Sequence, residues 1–248
     1  SKKLYEDLVA AEPLYPSYWK WFVSLLEVPR PSGFMKKVVP WAVAALQEAG
    51  GANIQSIKQD HAGNVSLFVV GRGSGINKPP IVLQAHLDMV PTTAAGVTHD
   101  FTRDPIPAYV ENGWLKTRGT TLGADDGFGV SACLSVLESL MKMESHCPIQ
   151  ILFTTDEENG LVGAQALRKE DGLIHPEAKY LVNVDTDWGF ITISSAGCVH
   201  RKLSIPLELE SPHQVLSFTA ADFKSWKEIE IQLSCFKGGH SGVVSHLG

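Results

Sequence analysis

Apolar residues recur along this chain in two rhythms, and acidic residues gather where a rhythm stops. Trp19, Phe22, Val23 and Leu26 stand at helical spacing, and VPRPS at 28–32 breaks the run. Val38, Trp41, Val43, Ala45 and Leu46 predict a second helix, closed by Gly50 and Gly51, with Pro40 either in its first turn or at a kink. β-Branched and aromatic side chains at 64–70 predict a strand, and the glycines and prolines of 71–80 an exposed loop. The strand at 81–83 is apolar on both faces, which places it inside a covered sheet, and it runs on to His86 and Asp88.

The later part repeats this form. Val130, Cys133, Leu134, Leu137 and Met141 recur at steps of three and four, so a helix over 127–141 leaves an acidic turn with one face buried. A strand at 149–153 leads to Asp156, Glu157 and Glu158, a helix over 161–168 follows, and a strand at 180–184 ends at Asp185. Strands and helices alternating in this way predict an α/β fold, with a mostly parallel central sheet flanked by helices. Ile229, Ile231, Leu233 and Cys235 then alternate with polar residues, the mark of a half-exposed antiparallel strand. The expected organisation is therefore a domain over 1–195 and the beginning of a second domain over 196–248.

His86, Asp125, Glu158 and Asp185 all follow strand-like runs or open a helix, and one imidazole with three carboxylates suits zinc, with cobalt or manganese compatible on ligand type. A carboxylate has two oxygens, so one of these residues can bridge two ions. The adjacent acids at 157 and 158 allow Glu158 to bind metal while Glu157 acts as general base, taking a proton from water and returning it to a leaving amine. Asp88 is placed to hydrogen-bond the other ring nitrogen of His86. Taken singly, each motif also reads as a turn or a helix cap; the argument lies in their shared position after strands.

Charge and composition narrow the class. The balance of 21 Lys and Arg against 27 Asp and Glu gives no basic footprint for nucleic acid or an anionic membrane surface. Cys133, Cys147, Cys198 and Cys235 are scattered without a Cys-x-x-Cys pair, as expected of buried fillers in a reducing compartment. No apolar run approaches the roughly 20 residues that span a bilayer, and the start lacks the apolar core of a signal peptide, so the expected location is cytoplasmic.

Six motifs point to one family: VLQAHLDMVP at 82–91, HDFTRDPI at 99–106, RGTTLGADDG at 118–127, TTDEENG at 154–160, VNVDTD at 182–187 and KGGHSG at 237–242. In these the chain resembles the aminoacyl-histidine dipeptidases (Xaa-His dipeptidase, peptidase D), zinc peptidases related to carboxypeptidase G, aminoacylase and carnosinase. The resemblance implies that His86 and Asp185 hold one zinc, that Asp125 bridges, that Glu158 holds a second zinc and that Glu157 is the base. It further implies a cis peptide bond after Asp125, an oxyanion-stabilising role for His240 and a homodimer formed through the lid. Family members are longer, and their last metal ligand is a histidine near a C-terminus that nothing here matches. The expectation is thus the N-terminal part of such an enzyme, with 196–248 the beginning of its α+β lid. Asp126 stands where bacterial relatives often have asparagine, and PSGFMKK at 31–37 lacks an acid common there. The function expected is metal-dependent hydrolysis of short peptides, Xaa-His among them. A non-catalytic relative that binds peptides or dimerises, and an N-acyl amino acid deacylase, are the alternatives.

Overall fold

The computed structural model describes residues 2–186 together with Ile191 and Ile193. The strand expected around 229–235, the lid over 196–248, His240, Cys198 and Cys235 lie outside the described residues.

The aromatic N-terminal stretch forms two helices, α1 (Lys2–Ala11) and α2 (Pro16–Leu26), because Pro16 sits at the start of the second, where a missing N–H costs nothing. In α3 (Val38–Gly50), Pro40 occupies the first turn for the same reason. A five-stranded sheet follows in the order β1 (Ile54–Gln59), β2 (Val65–Val69), β6 (Ile149–Thr154), β3 (Ile81–His86), β7 (Tyr180–Asn183). The sheet is mixed. β6, β3 and β7 run parallel, whereas β2 pairs antiparallel with both β1 and β6. β3 lies between two partners, as its two apolar faces require.

One face of the sheet carries the main core. Leu67, Val69, Ala85, Ile149, Ile151 and Phe153 pack there against Leu25 of α2, Val38, Ala42 and Leu46 of α3, and Val130, Leu134 and Leu137 of α4 (Ala124–Met141). The alternate residues Val82 and Leu152 face the other side, where Leu173 covers them. All six residues of β6 are buried, so its run of apolar side chains is explained by cover on both faces.

Three elements differ from the sequence expectation. β1 is a polar edge strand, IQSIKQ, held in place by pairing with β2. A separate hairpin joins β4 (Ala108–Glu111) to β5 (Trp114–Thr117) through Asn112 and Gly113, both at positive φ, 53° and 78°. That is the Asn-Gly turn chemistry that matches strand twist. The helix expected over 161–168 is shorter, α5 (Val162–Ala166).

Candidate metal centre

Because β6, β3 and β7 are parallel, their carboxyl ends meet one edge of the sheet. His86 closes β3 opposite Thr154, the last residue of β6, so the acids at 156–158 emerge beside it. On the other flank Gln84 pairs with Asn183, and Asp185 follows two residues later. The turn that opens α4 brings Asp125 to the same edge. Asp125 and Asp126 carry non-helical backbone angles there, and the peptide bond between them is cis.

His86 is buried, and its Nε2 faces three carboxylates: Asp125 Oδ1 at 2.9 Å, Asp185 Oδ2 at 3.7 Å and Glu157 Oε2 at 4.0 Å. Ligand atoms of His86, Asp125 and Asp185 all lie within 4.8 Å of one another, and those of His86, Glu157 and Glu158 form a second such group. Glu157, expected from sequence to be a base and not a ligand, stands within reach of the same imidazole nitrogen as the candidate ligands. On the far side of the ring, Nδ1 lies 3.3 Å from Asp88 Oδ1.

Asp88 is fully buried and is held from several directions. It accepts hydrogen bonds from the backbone N–H groups of Glu157 (2.9 Å) and Glu158 (3.3 Å) and from the Ser32 hydroxyl (2.7 Å). One carboxylate thereby ties the loop after β3 to the loop after β6. Burial alone would raise the Asp88 carboxyl, but His86, Ser32 and the Glu157 N–H outweigh it and leave it at about 2. Burial likewise opposes the charged His86 imidazole, whereas the hydrogen bond to Asp125, the close Asp88 carboxylate and the charge of Asp126 push it up to about 11.

Two groups that hold the site together escaped the sequence argument. Asp126 is buried beneath His86, where its Oδ2 accepts the His86 backbone N–H and its Oδ1 that of Gly129, each at 3.1 Å. Burial, with the charges of Asp185 and Asp125 adding to it, lifts this carboxyl to about 7 against the opposing effect of His86. Asparagine offers one acceptor oxygen in place of these two, so the aspartate is the side chain that satisfies both N–H groups. Arg30 is also buried, and it donates to the carbonyls of Leu87, Asp88 and Gly123. The only sequence signal for it was a charge in a Pro-rich break next to an apolar helix.

The donor set fits a divalent cation. Carboxylates outnumber the cationic groups at this edge, and burial together with neighbouring like charge raises both Glu157 and Glu158 above the usual glutamate range. A cation relieves that repulsion. His86, Asp125 and Asp185 can hold one, and the second group, Glu157 and Glu158 with the same His86, offers further ligand atoms beside it.

Residues 67–189 match the model of peptidase family M28. The chain is 34% identical over 231 residues to the cytosol non-specific dipeptidase of Escherichia coli, an alignment covering 93% of this chain and 44% of that protein. Its fold superposes on the aminoacylhistidine dipeptidase of Vibrio alginolyticus with a TM-score of 0.60 at 34% identity, over 69% of this chain and 33% of that one. A tripeptidase from Staphylococcus aureus shares the fold, with a TM-score of 0.56 at 24% identity, over 68% and 43% of the respective chains. This chain therefore spans less than half the length of these relatives. Over residues 67–189 the chain is thus similar to peptidase family M28, and over most of its length to a cytosol non-specific dipeptidase.

Proposed function

We propose that this chain carries the metal-binding part of a dipeptidase that hydrolyses short peptides, Xaa-His among them. The observation that supports it is the convergence of His86, Asp125, Asp185, Glu157 and Glu158 on one sheet edge, drawn from four separate stretches of chain. Zinc is the cation proposed, with cobalt or manganese accommodated by the same nitrogen and oxygen donors. Bound there, such an ion polarises the scissile carbonyl and lowers the pKa of water.

The side chains supply the rest. Glu157 sits 4.0 Å from His86 Nε2, half-buried, with its carboxyl raised above the ordinary glutamate range by burial and by neighbouring acids. A base so tuned takes a proton from the attacking water and gives it to the departing amine. Asp88 orients His86 through Nδ1, leaving Nε2 for the cation. Asp125 belongs to the group of His86 and Asp185, and its second carboxylate oxygen is assigned to bridging towards the ion held by Glu158. His240, in the proposed lid over 196–248, is assigned to the developing oxyanion. The same lid is assigned to a homodimer, which sedimentation measures directly.

A cytoplasmic setting accords with the unpaired thiols of Cys133 and Cys147 and with the E. coli relative, named a cytosol dipeptidase. Among the described residues, no helix is long and apolar enough to cross a membrane.

The test is hydrolysis of Xaa-His dipeptides by the protein loaded with zinc, before and after chelation. Turnover that chelator removes and zinc restores is expected. Turnover indifferent to chelator overturns the reading, and preference for N-acylated amino acids moves it to a deacylase. Cation uptake without turnover of either substrate leaves a binding protein.

A further inference from the structure

The segment between α2 and α3 contacts three of the site-bearing loops within four residues. Arg30 Nη1 donates to the carbonyls of Leu87 and Asp88, each at 3.0 Å, and Nη2 donates to the carbonyl of Gly123. The Ser32 hydroxyl donates to Asp88 Oδ2 at 2.7 Å, and the Gly33 N–H to Asp156 Oδ1 at 2.5 Å. The backbone joins in, because Met89 N–H donates to the Arg30 carbonyl and Ser32 N–H to the Met89 carbonyl, both at 3.1 Å. The loop after β3, the turn before α4 and the loop after β6 are therefore held from one side by one strap.

We propose that Arg30 is a positioning residue of the metal centre: its guanidinium ties the chain just past His86, at Leu87 and Asp88, to the turn before Asp125, at Gly123, and so sets their separation before a cation binds. The inference rests on the metal-centre reading above and adds to it a residue that acts on the site through backbone carbonyls.

The geometry explains why arginine serves here. Two carbonyls on one loop and a third on another must be reached at once by donors fixed in a plane, which a guanidinium provides and an ammonium does not. The partners are backbone carbonyls, so Arg30 fixes the path of the loops through the main chain. The seat is also tailored to it. A Cβ at Gly123 would come within 2.5 Å of Arg30 Nη2, and one at Gly127 within 2.7 Å of the same atom. Gly123 has φ +71°, so its lack of a side chain both permits the turn and admits the guanidinium.

A buried arginine that merely adds stability predicts something different. Removing it would then weaken the whole fold and leave the site as good, in the folded fraction, as before. The positioning role predicts a local loss. The variants Arg30→Met, Arg30→Lys and Ser32→Ala are compared with the full chain and with Leu46→Ala, a core variant remote from the strap. Cobalt(II) is titrated and followed by its visible absorption, and amide exchange is measured in the cation-free protein.

Arg30→Met is expected to bind cobalt at least tenfold more weakly, with amides at 86–89 and 123–127 losing protection ahead of those in β2 and β6. Arg30→Lys, which keeps the charge and loses the fork, recovers only part of the affinity, and Ser32→Ala falls between it and the parent. Leu46→Ala keeps parental cobalt affinity while its melting temperature drops. Parental cobalt affinity in both Arg30→Lys and Ser32→Ala, or exchange that rises evenly across the sheet, overturns the inference. If Arg30→Met does not fold, those two milder variants still decide it. A parent protein that takes up no cobalt refutes the metal reading, and the exchange pattern then decides the strap by itself.

Discussion

His86 sits where two demands on one imidazole meet. Its Nδ1 faces buried Asp88, and its Nε2 faces the open cluster of Asp125, Asp185 and Glu157. The first contact orients the ring and the second leaves a nitrogen facing the place proposed for the cation. Glu157→Gln keeps the size of the side chain and removes its basicity. Loaded protein carrying it is expected to lose at least about a hundredfold in kcat, the range of general acid–base catalysis, while elemental analysis finds metal content near the parent's. Equal loss of metal and turnover would move Glu157 from base to ligand, an assignment its place in the second ligand group keeps within reach. Asp125→Ala, by contrast, removes the proposed bridge. Metal content should fall with turnover, and retained stoichiometry contradicts the bridging role.

The acid-bearing loop after β6 is held by a neighbour that carries no charge. Asn64, buried just before β2, donates to the Gly163 carbonyl at 2.8 Å and to Asp60 Oδ2 at 2.7 Å, and its Oδ1 accepts the Thr155 N–H at 3.1 Å. The antiparallel pairing of β2 with β6 puts Val65 opposite Phe153, which is why this side chain meets the start of the loop. Asn64→Ala strands a buried N–H and a buried carbonyl, each costing about 1–3 kcal/mol, and urea unfolding should show a loss of at least that size. The neighbouring Gly163 leaves no room for a methyl, since a Cβ there would stand 2.4 Å from Asn64 Oδ1 and from the Thr155 carbonyl. Gly163→Ala is expected to destabilise by about 1–3 kcal/mol through overpacking and to weaken cation uptake as the loop shifts. Unchanged stability in both variants would mean that the loop is positioned otherwise.

For the molecule as a whole, a cation that binds the folded chain alone must raise its stability. Zinc at a hundredfold excess over its dissociation constant contributes about 2.7 kcal/mol. For a fold of this size that is a rise in melting temperature of about 5–10 °C, reversed by chelator. A melting temperature indifferent to zinc would argue against a preformed site. The same measurement on Asp125→Ala assigns any shift to this edge of the sheet.

Much of this protein was legible from residue order because its central strands are buried on both faces. The apolar runs ending in His86 and in the acids at 156–158, and the helix opening after Asp125 and Asp126, needed only periodicity and turn chemistry to be found, and their motifs carried the family resemblance. Where partners lie far apart in sequence, the chain's own pattern was silent. β1 is polar and becomes a strand only through pairing with β2. The choice of which strands run parallel sets which ends share an edge, and it goes with the crossovers that carry α4 between β3 and β6 and α5 between β6 and β7. Nothing near Arg30 or Asp126 in sequence pointed to the backbone groups of other segments against which folding buries them. Local sequence determined the side chains able to bind a cation and the elements that carry them. Only the tertiary structure decided their distances, because those depend on buried hydrogen bonds between segments whose separation along the chain conceals that they meet.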